Sequence, residues 1–194
     1  MEDTSQTQAQ TQRAELVATA ITLLESEGHQ ALTPERLASQ ADLPLDTVTE
    51  FFQTSSDLQM ALTAEGYRRF AASMAAEMAS APNTARAKLL AAGQGYAKFA
   101  AGSPRLFRQI FSAEANERIN GEVLEAMGEA YDILSSIALP YGVKDTGGRR
   151  IAEMRIWALM HGYASLVVGK NALFADTSDL EALLAGILPE FDSV

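Results

Sequence analysis

Along almost the whole 194-residue chain, apolar residues recur every three or four positions and hardly ever alternate. That spacing collects them on one face of an α-helix, so the chain is predicted to be all-α. Val17, Ala20, Ile21 and Leu24 form such a stripe over a first helix at about 10–27, and Gly28 stands where a helix commonly ends. Thr33-Pro34 opens a second helix, with Thr as the cap and Pro where its missing N–H costs nothing. This helix runs to about Ala41 and buries Leu37, Ala38 and Ala41. The turn Asp42-Leu43-Pro44 leads to a third helix at about 45–52, whose inward residues are Val48 and Phe52.

Local punctuation divides the remainder in the same way. Thr54 and Asp57 have capping-box spacing and start a long fourth helix over about 55–80. Ala81-Pro82-Asn83 breaks it, and a fifth helix, about 83–101, ends at Gly102-Ser103-Pro104. A short sixth follows at about 104–112, and residues 113–121 read as irregular. The seventh, about 122–139, is expected to stop at Leu139-Pro140-Tyr141-Gly142. Gly147-Gly148 precedes an apolar eighth at about 149–170, and a ninth at about 177–190 is capped between Asp176 and Ser178. Residues 1–9 are polar and predicted to be a disordered tail. Residues 10–55 are the expected N-terminal module and 56–194 the helical body.

Several chemistries are excluded by what the chain lacks. With no Cys there is no disulfide, thiolate metal site or Cys nucleophile. The two His, at 29 and 161, have no metal-ligand spacing, and no glycine-rich phosphate loop is present. His161 and Ser165 share a helix face, but Glu153 is two turns away, about 12 Å along a helix, too far to orient the imidazole. Neither an enzyme nor a bound cofactor or metal is expected. The longest apolar run, Ile156 to Gly169, is 14 residues and contains His161, too short for a bilayer. With no signal-peptide pattern at the N-terminus, a soluble cytoplasmic protein is predicted.

Three short helices followed by a long one make a helix-turn-helix module joined to a larger body. Thr33, Leu37-Ala38, Ala41, Leu43, Val48 and Phe52 are spaced to hold the second and third helices at a fixed angle. Here the chain closely resembles the TetR family of transcriptional regulators. The stretches YAKFAAGSPRLFRQIFS (96–112) and WALMHGYASLVVGK (157–170) are similar to the subgroup with a Trp…His-Gly signature, carried by Trp157 and His161-Gly162. The resemblance implies an operator-reading third helix, an effector pocket in the body and a two-fold homodimer through the last two helices. By position, the implied DNA contacts are Thr33, Arg36, Leu45, Asp46, Thr47, Thr49, Glu50, Phe51 and Ser55. The implied pocket residues are Phe99, Phe107, Phe111, Met127, Tyr131, Trp157 and His161, a mainly apolar set suited to a small apolar effector. The implied dimer residues are Gly162, Ser165, Val168, Leu180, Leu183, Leu184 and Ile187. The eighth helix is apolar nearly all round, which supports a covered face independently.

The contact positions depart from the family pattern. Pro44 stands where a capping Ser is usual, Thr49 replaces a phosphate-touching Tyr, Phe51 a His or Tyr, and Ser55 a Lys. Residues 1–70 hold four basic residues (Arg13, Arg36, Arg68, Arg69) against eleven acidic ones, a net of −7 in a chain of net −10. Phosphate neutralisation normally dominates affinity for DNA, so weak non-specific binding and a shallow salt dependence are expected. Threonine hydroxyls and backbone N–H groups can still donate to phosphates. Glu50 can accept from cytosine N4, and Leu45 or a threonine methyl can meet thymine methyls. Two functions stay open: a ligand-responsive regulator, by family habit a repressor, and an interaction or sensor protein that has lost DNA binding.

Overall fold

The computed structural model describes residues 2–112, 119–142, 148–169 and 177–187, with side chains for these apart from residues 2–5, 177, 178 and 187. All regular structure among the described residues is helical: α1 Glu2–Glu27, α2 Pro34–Ala41, α3 Leu45–Thr49, α4 Ser55–Ser80, α5 Ala85–Gly102, α6 Pro104–Ile110, α7 Gly121–Gly142, α8 Gly148–Val168 and α9 Thr177–Ile187. One 3₁₀ turn, His29–Ala31, joins α1 to α2. Residues 113–118 of the expected irregular stretch 113–121, Gly147, Asp176 and the expected end of the ninth helix beyond Ile187 lie outside the described residues.

Besides α3, which ends at Thr49 rather than near residue 52, two boundaries differ from the sequence reading. The first helix begins at Glu2 rather than near residue 10. Residues 6–11 are solvent-exposed along it, so this extension rests on local helical preference rather than on packing. The other concerns α7, which continues through Pro140 to Gly142. A proline in the last turn removes one hydrogen bond there without breaking the turns before it. Gly142 then lies so close to Arg149 that an added Cβ would meet its Cα at 2.6 Å.

The chain forms two compact units, Met1–Gly66 with Arg105–Glu125, and Tyr67–Pro104 with Ala126–Val194. The first is centred on Leu23, Leu24, Leu32, Leu37, Val48, Phe52, Leu58 and Leu62, each no more than 2% exposed. Its helix junctions follow local chemistry. The Thr33 hydroxyl accepts from the Arg36 amide at 3.2 Å and Pro34 opens α2. Gly28 sits at φ 94°, ψ −177°, a backbone region open essentially to glycine. Asp42 takes the left-handed conformation that ends α2. Thr54 and Asp57 form the expected capping box, the Thr54 amide donating to the Asp57 carboxylate at 2.9 Å and the Asp57 amide to the Thr54 hydroxyl at 3.2 Å.

The second unit packs α5 against α8 and α9 around Leu89, Ala92, Ala100, Ile156, Met160, Leu180 and Leu184. Small residues set its spacing. A Cβ on Gly93 would meet Leu180 at 2.7 Å, and one on Gly95 would meet the Ser73 and Met74 backbone at 2.5–2.8 Å. The Ser73 hydroxyl donates to the Gly95 carbonyl at 2.8 Å across this approach.

Candidate functional site

In the first unit, α2 and α3 have helix-turn-helix geometry, and burial sorts the side chains of α3 and of the residues that follow it to Phe52. Val48 and Phe52 are 0% and 1% exposed and anchor the short helix, while Leu45, Asp46 and Glu50 point to solvent. Thr47, Thr49, Phe51 and Ser55 are half-buried along the rim. Pro44 caps α3 without any side-chain hydrogen bond, and the Thr49 hydroxyl turns back to the Asp46 carbonyl at 3.0 Å. Phe51 lies beside Phe52, ring centroids 6.4 Å apart. Thr33 is occupied in capping α2.

Arg13 and Arg36 are the two basic residues of the chain up to Gly66, and both are held by carboxylates. Arg13 pairs with Glu122 at 2.8 Å while its guanidinium lies 5.6 Å from the Phe52 ring centre. Arg36 pairs with Glu27 through both Nε and Nη2, and the adjacent carboxylate holds the guanidinium pKa above its usual value. The outward surface of α3 therefore carries carboxylates, a leucine and threonines.

The pocket candidates separate between the two units. Phe107, 3% exposed, and the half-buried Phe111 pair with each other in the first unit, centroids 5.2 Å apart. In the second, Phe99 is 7% exposed and packs on Phe70, which also meets Tyr96 edge-on at 4.5 Å. The buried Tyr96 hydroxyl lies 2.8 Å from Nδ1 of His161. Burial raises the Tyr96 pKa strongly and lowers that of His161, so both are held neutral. Met127 is half-buried and Tyr131 exposed. The Tyr131 hydroxyl donates to Glu153 at 3.0 Å and Arg149 donates to the same carboxylate at 2.9 Å. Burial works to raise the Glu153 pKa, but these hydrogen bonds outweigh it and the net shift is downward.

Tyr96 and Phe70 carry no sequence signature that marks them for this cluster. Tyr96 opens the stretch 96–112, yet its partner His161 is 65 residues away and no periodicity pairs them. Glu153 does not orient His161; it serves Tyr131 and Arg149.

Of the dimer candidates, Leu180 and Leu184 are 1% and 0% exposed and are already used in the core of their own unit. Gly162, Ser165 and Leu183 are exposed, Val168 is half-buried, and the Ile187 side chain lies outside the described residues. Met154, Ala158, Gly162 and Ser165 recur three or four positions apart on α8, with Gly169 just past its end, all exposed. Trp157 (48%) and Leu166 (40%) flank this strip. Among the described residues no group of His, Asp and Glu is placed to hold a metal ion, and no helix is long and apolar enough to cross a membrane.

Residues 89–189 match the family model described as the tetracyclin repressor-like C-terminal domain, which covers more than half of the chain. The chain belongs to the TetR family of transcriptional regulators. Solved structures repeat its fold over nearly the whole length. A Rhodococcus sp. RHA1 protein of unknown function is 24% identical, with TM-score 0.74, over 91% of this chain and 95% of its own. The regulator FadR from Bacillus subtilis, in complex with stearoyl-CoA, is 19% identical, with TM-score 0.66, over 92% and 96%. The multidrug binding protein EbrR, complexed with imidazole, is 16% identical, with TM-score 0.64, over 91% and 94%. No curated protein sequence matches the chain.

Proposed function

We propose that this TetR-family protein is an effector-responsive regulator, by family habit a repressor, that reads operator DNA as a homodimer. The observation that carries this reading is the sorting of α3. Val48 and Phe52 lock it into the first unit, and Leu45, Asp46, Thr47, Thr49, Glu50 and Phe51 are left on its outward side and rim. That is the arrangement a recognition helix needs to enter a major groove. Ser55 and the Thr33–Arg36 start of α2 would flank it against the backbone. Base contacts, with Glu50 toward cytosine N4 and Leu45 toward thymine methyls, would carry specificity. Phosphate contacts would be few, since Arg13 and Arg36 are already engaged by carboxylates.

The exposed small-residue strip on α8, with Gly162 and Ser165 at its centre, supports a two-fold helix interface extended by Val168, Leu183 and Ile187. The apolar residues Phe99, Met127 and Trp157, with Tyr131 and the neutral Tyr96–His161 pair as polar anchors, support a mainly apolar effector. The stearoyl-CoA of one structural neighbour and the multidrug binding of another agree with that class. An effector shifts the DNA-binding state only by binding two conformations unequally.

A second reading, a TetR-fold interaction protein without DNA, is favoured by the acidic outer side of α3 and the paired state of Arg13 and Arg36. Selection from random duplex DNA at low salt separates the two. A regulator enriches a two-fold symmetric site, and Thr47→Ala with Thr49→Ala weakens binding to it. Absence of enrichment from folded, dimeric protein favours the second reading.

A further inference from the structure

The short helix α6 belongs to the same compact unit as the helix-turn-helix, although about 50 residues separate them in sequence. Two polar attachments and one close approach hold it there. At its start, the Glu25 carboxylate accepts the Leu106 amide at 2.8 Å and the Arg105 amide at 3.1 Å, capping α6 from the last turn of α1. Arg105 reciprocates: its guanidinium donates to the Leu24 and Glu25 carbonyls at 3.2 and 2.6 Å, serving the C-terminal end of α1. Each helix thus satisfies backbone groups at the other's end.

One turn further along α6, the 7%-exposed Gln109 meets the turn that leads into the helix-turn-helix. Its Oε1 lies 3.1 Å from His29 Nδ1, and the Gln59 amide nitrogen of α4 lies 3.1 Å from His29 Nε2. An amide nitrogen only donates, so Nε2 accepts and Nδ1 carries the proton given to Gln109. The Gln109 amide reaches the buried Thr63 hydroxyl at 3.5 Å. At Gly66, α4 comes so near α6 that an added Cβ would collide with Ile110 and lie 3.1 Å from Leu106.

We propose that α6 is the clamp of the reading head, and that Glu25, Arg105 and Gln109 are positioning residues for operator reading that touch no DNA. Through them the exit of α1, the His29–Ala31 turn and α6 move as one block, so the approach to α2 and α3 is set from α6. The proposal rests on the DNA-reading assignment for its function and on α6 geometry alone for its mechanics.

The test has one arm without DNA and one with it, on the full chain. Hydrogen exchange is compared between the unmodified protein, Glu25→Ala and Gln109→Ala, with the milder Glu25→Gln alongside in case the alanine variants unfold. The clamp predicts that amides of residues 28–33 and of α6 speed up together, by about tenfold or more and by a common factor. Acceleration confined to Arg105 and Leu106, the amides that lose their carboxylate, would overturn it. In the second arm, the selected operator is bound by Gln109→Ala and Gln109→Glu, with thermal midpoints recorded. The clamp predicts weaker binding and a broadened preference for half-site separation in Gln109→Ala, largely restored by Gln109→Glu, which can still accept from His29. Unchanged separation preference would overturn the positioning role. Coupled exchange in a protein that selects no operator would refute the DNA reading while leaving the clamp intact.

Discussion

Phe51 and Phe52 stand side by side and do opposite work. Phe52 is 1% exposed and covered by Arg13, whereas Phe51 is half-buried at the rim of α3. Phe52→Ala is expected to destabilise the protein by about 3–5 kcal/mol in urea unfolding, the range for a buried aromatic replaced by alanine. Leu45→Ala, at a position already 40% exposed, should leave unfolding nearly unchanged and act on base preference instead. The periodicity of the third helix made Val48 and Phe52 legible as core, and the Thr54–Asp57 capping box was equally legible because its partners are three residues apart. His161 shows the opposite case. Its environment is set by Tyr96, 65 residues away, and burial lowers its pKa. The folded state therefore resists a proton that the unfolded chain accepts near its ordinary value of about 6.5. Stability should be at its full value above that pH and fall as pH drops below it. His161→Gln, which takes no proton, should flatten the unfolding free energy across this window. A slope unchanged by the substitution would show that another group is responsible.

At the scale of elements, helix spacing depends on where a side chain is missing. Gly95→Ala would push a Cβ into the Ser73–Met74 backbone, which cannot move aside like a side-chain end. It should cost about 1–3 kcal/mol of overpacking. Gly102→Ala, with nothing within 4 Å, should be neutral or slightly stabilising, and the two unfolding midpoints compare them directly. Among the described residues the α-helices were readable, since proline, glycine and capping residues punctuate the chain locally, but the 3₁₀ turn His29–Ala31 was not. The company that α6 keeps was not. The sequence division at residue 55 places it with the body, while its polar partners Glu25 and His29 lie before that boundary, 80 to 81 residues away. Helical period reports which face is apolar, not which distant carboxylate caps an end. The extension of α7 past Pro140 is a similar limit, because a proline in a final turn and one just beyond it look alike in sequence.

For the whole molecule, the proposed two-fold assembly makes the α8 strip a covered surface. Gly162→Arg is a direct probe, since a Cβ there meets nothing within 4 Å inside the protomer. Folding should survive while the partner helix is excluded. Light scattering should then report a monomer from the variant and a dimer from the unmodified protein, and two dimers would remove α8 from the interface. The charge distribution makes the sharper claim. A net of −7 over residues 1–70, with Arg13 and Arg36 tied to Glu122 and Glu27, leaves base contacts to supply what phosphate contacts usually do. The measurement that tests this most directly is the affinity for a selected operator as a function of salt concentration. Binding should be sequence-specific with a shallow log–log salt slope, of magnitude below about 4 per dimer, for few neutralised phosphates. A slope with a magnitude of about 6–10, the signature of many phosphate contacts, or no specific site at any salt concentration, would contradict it.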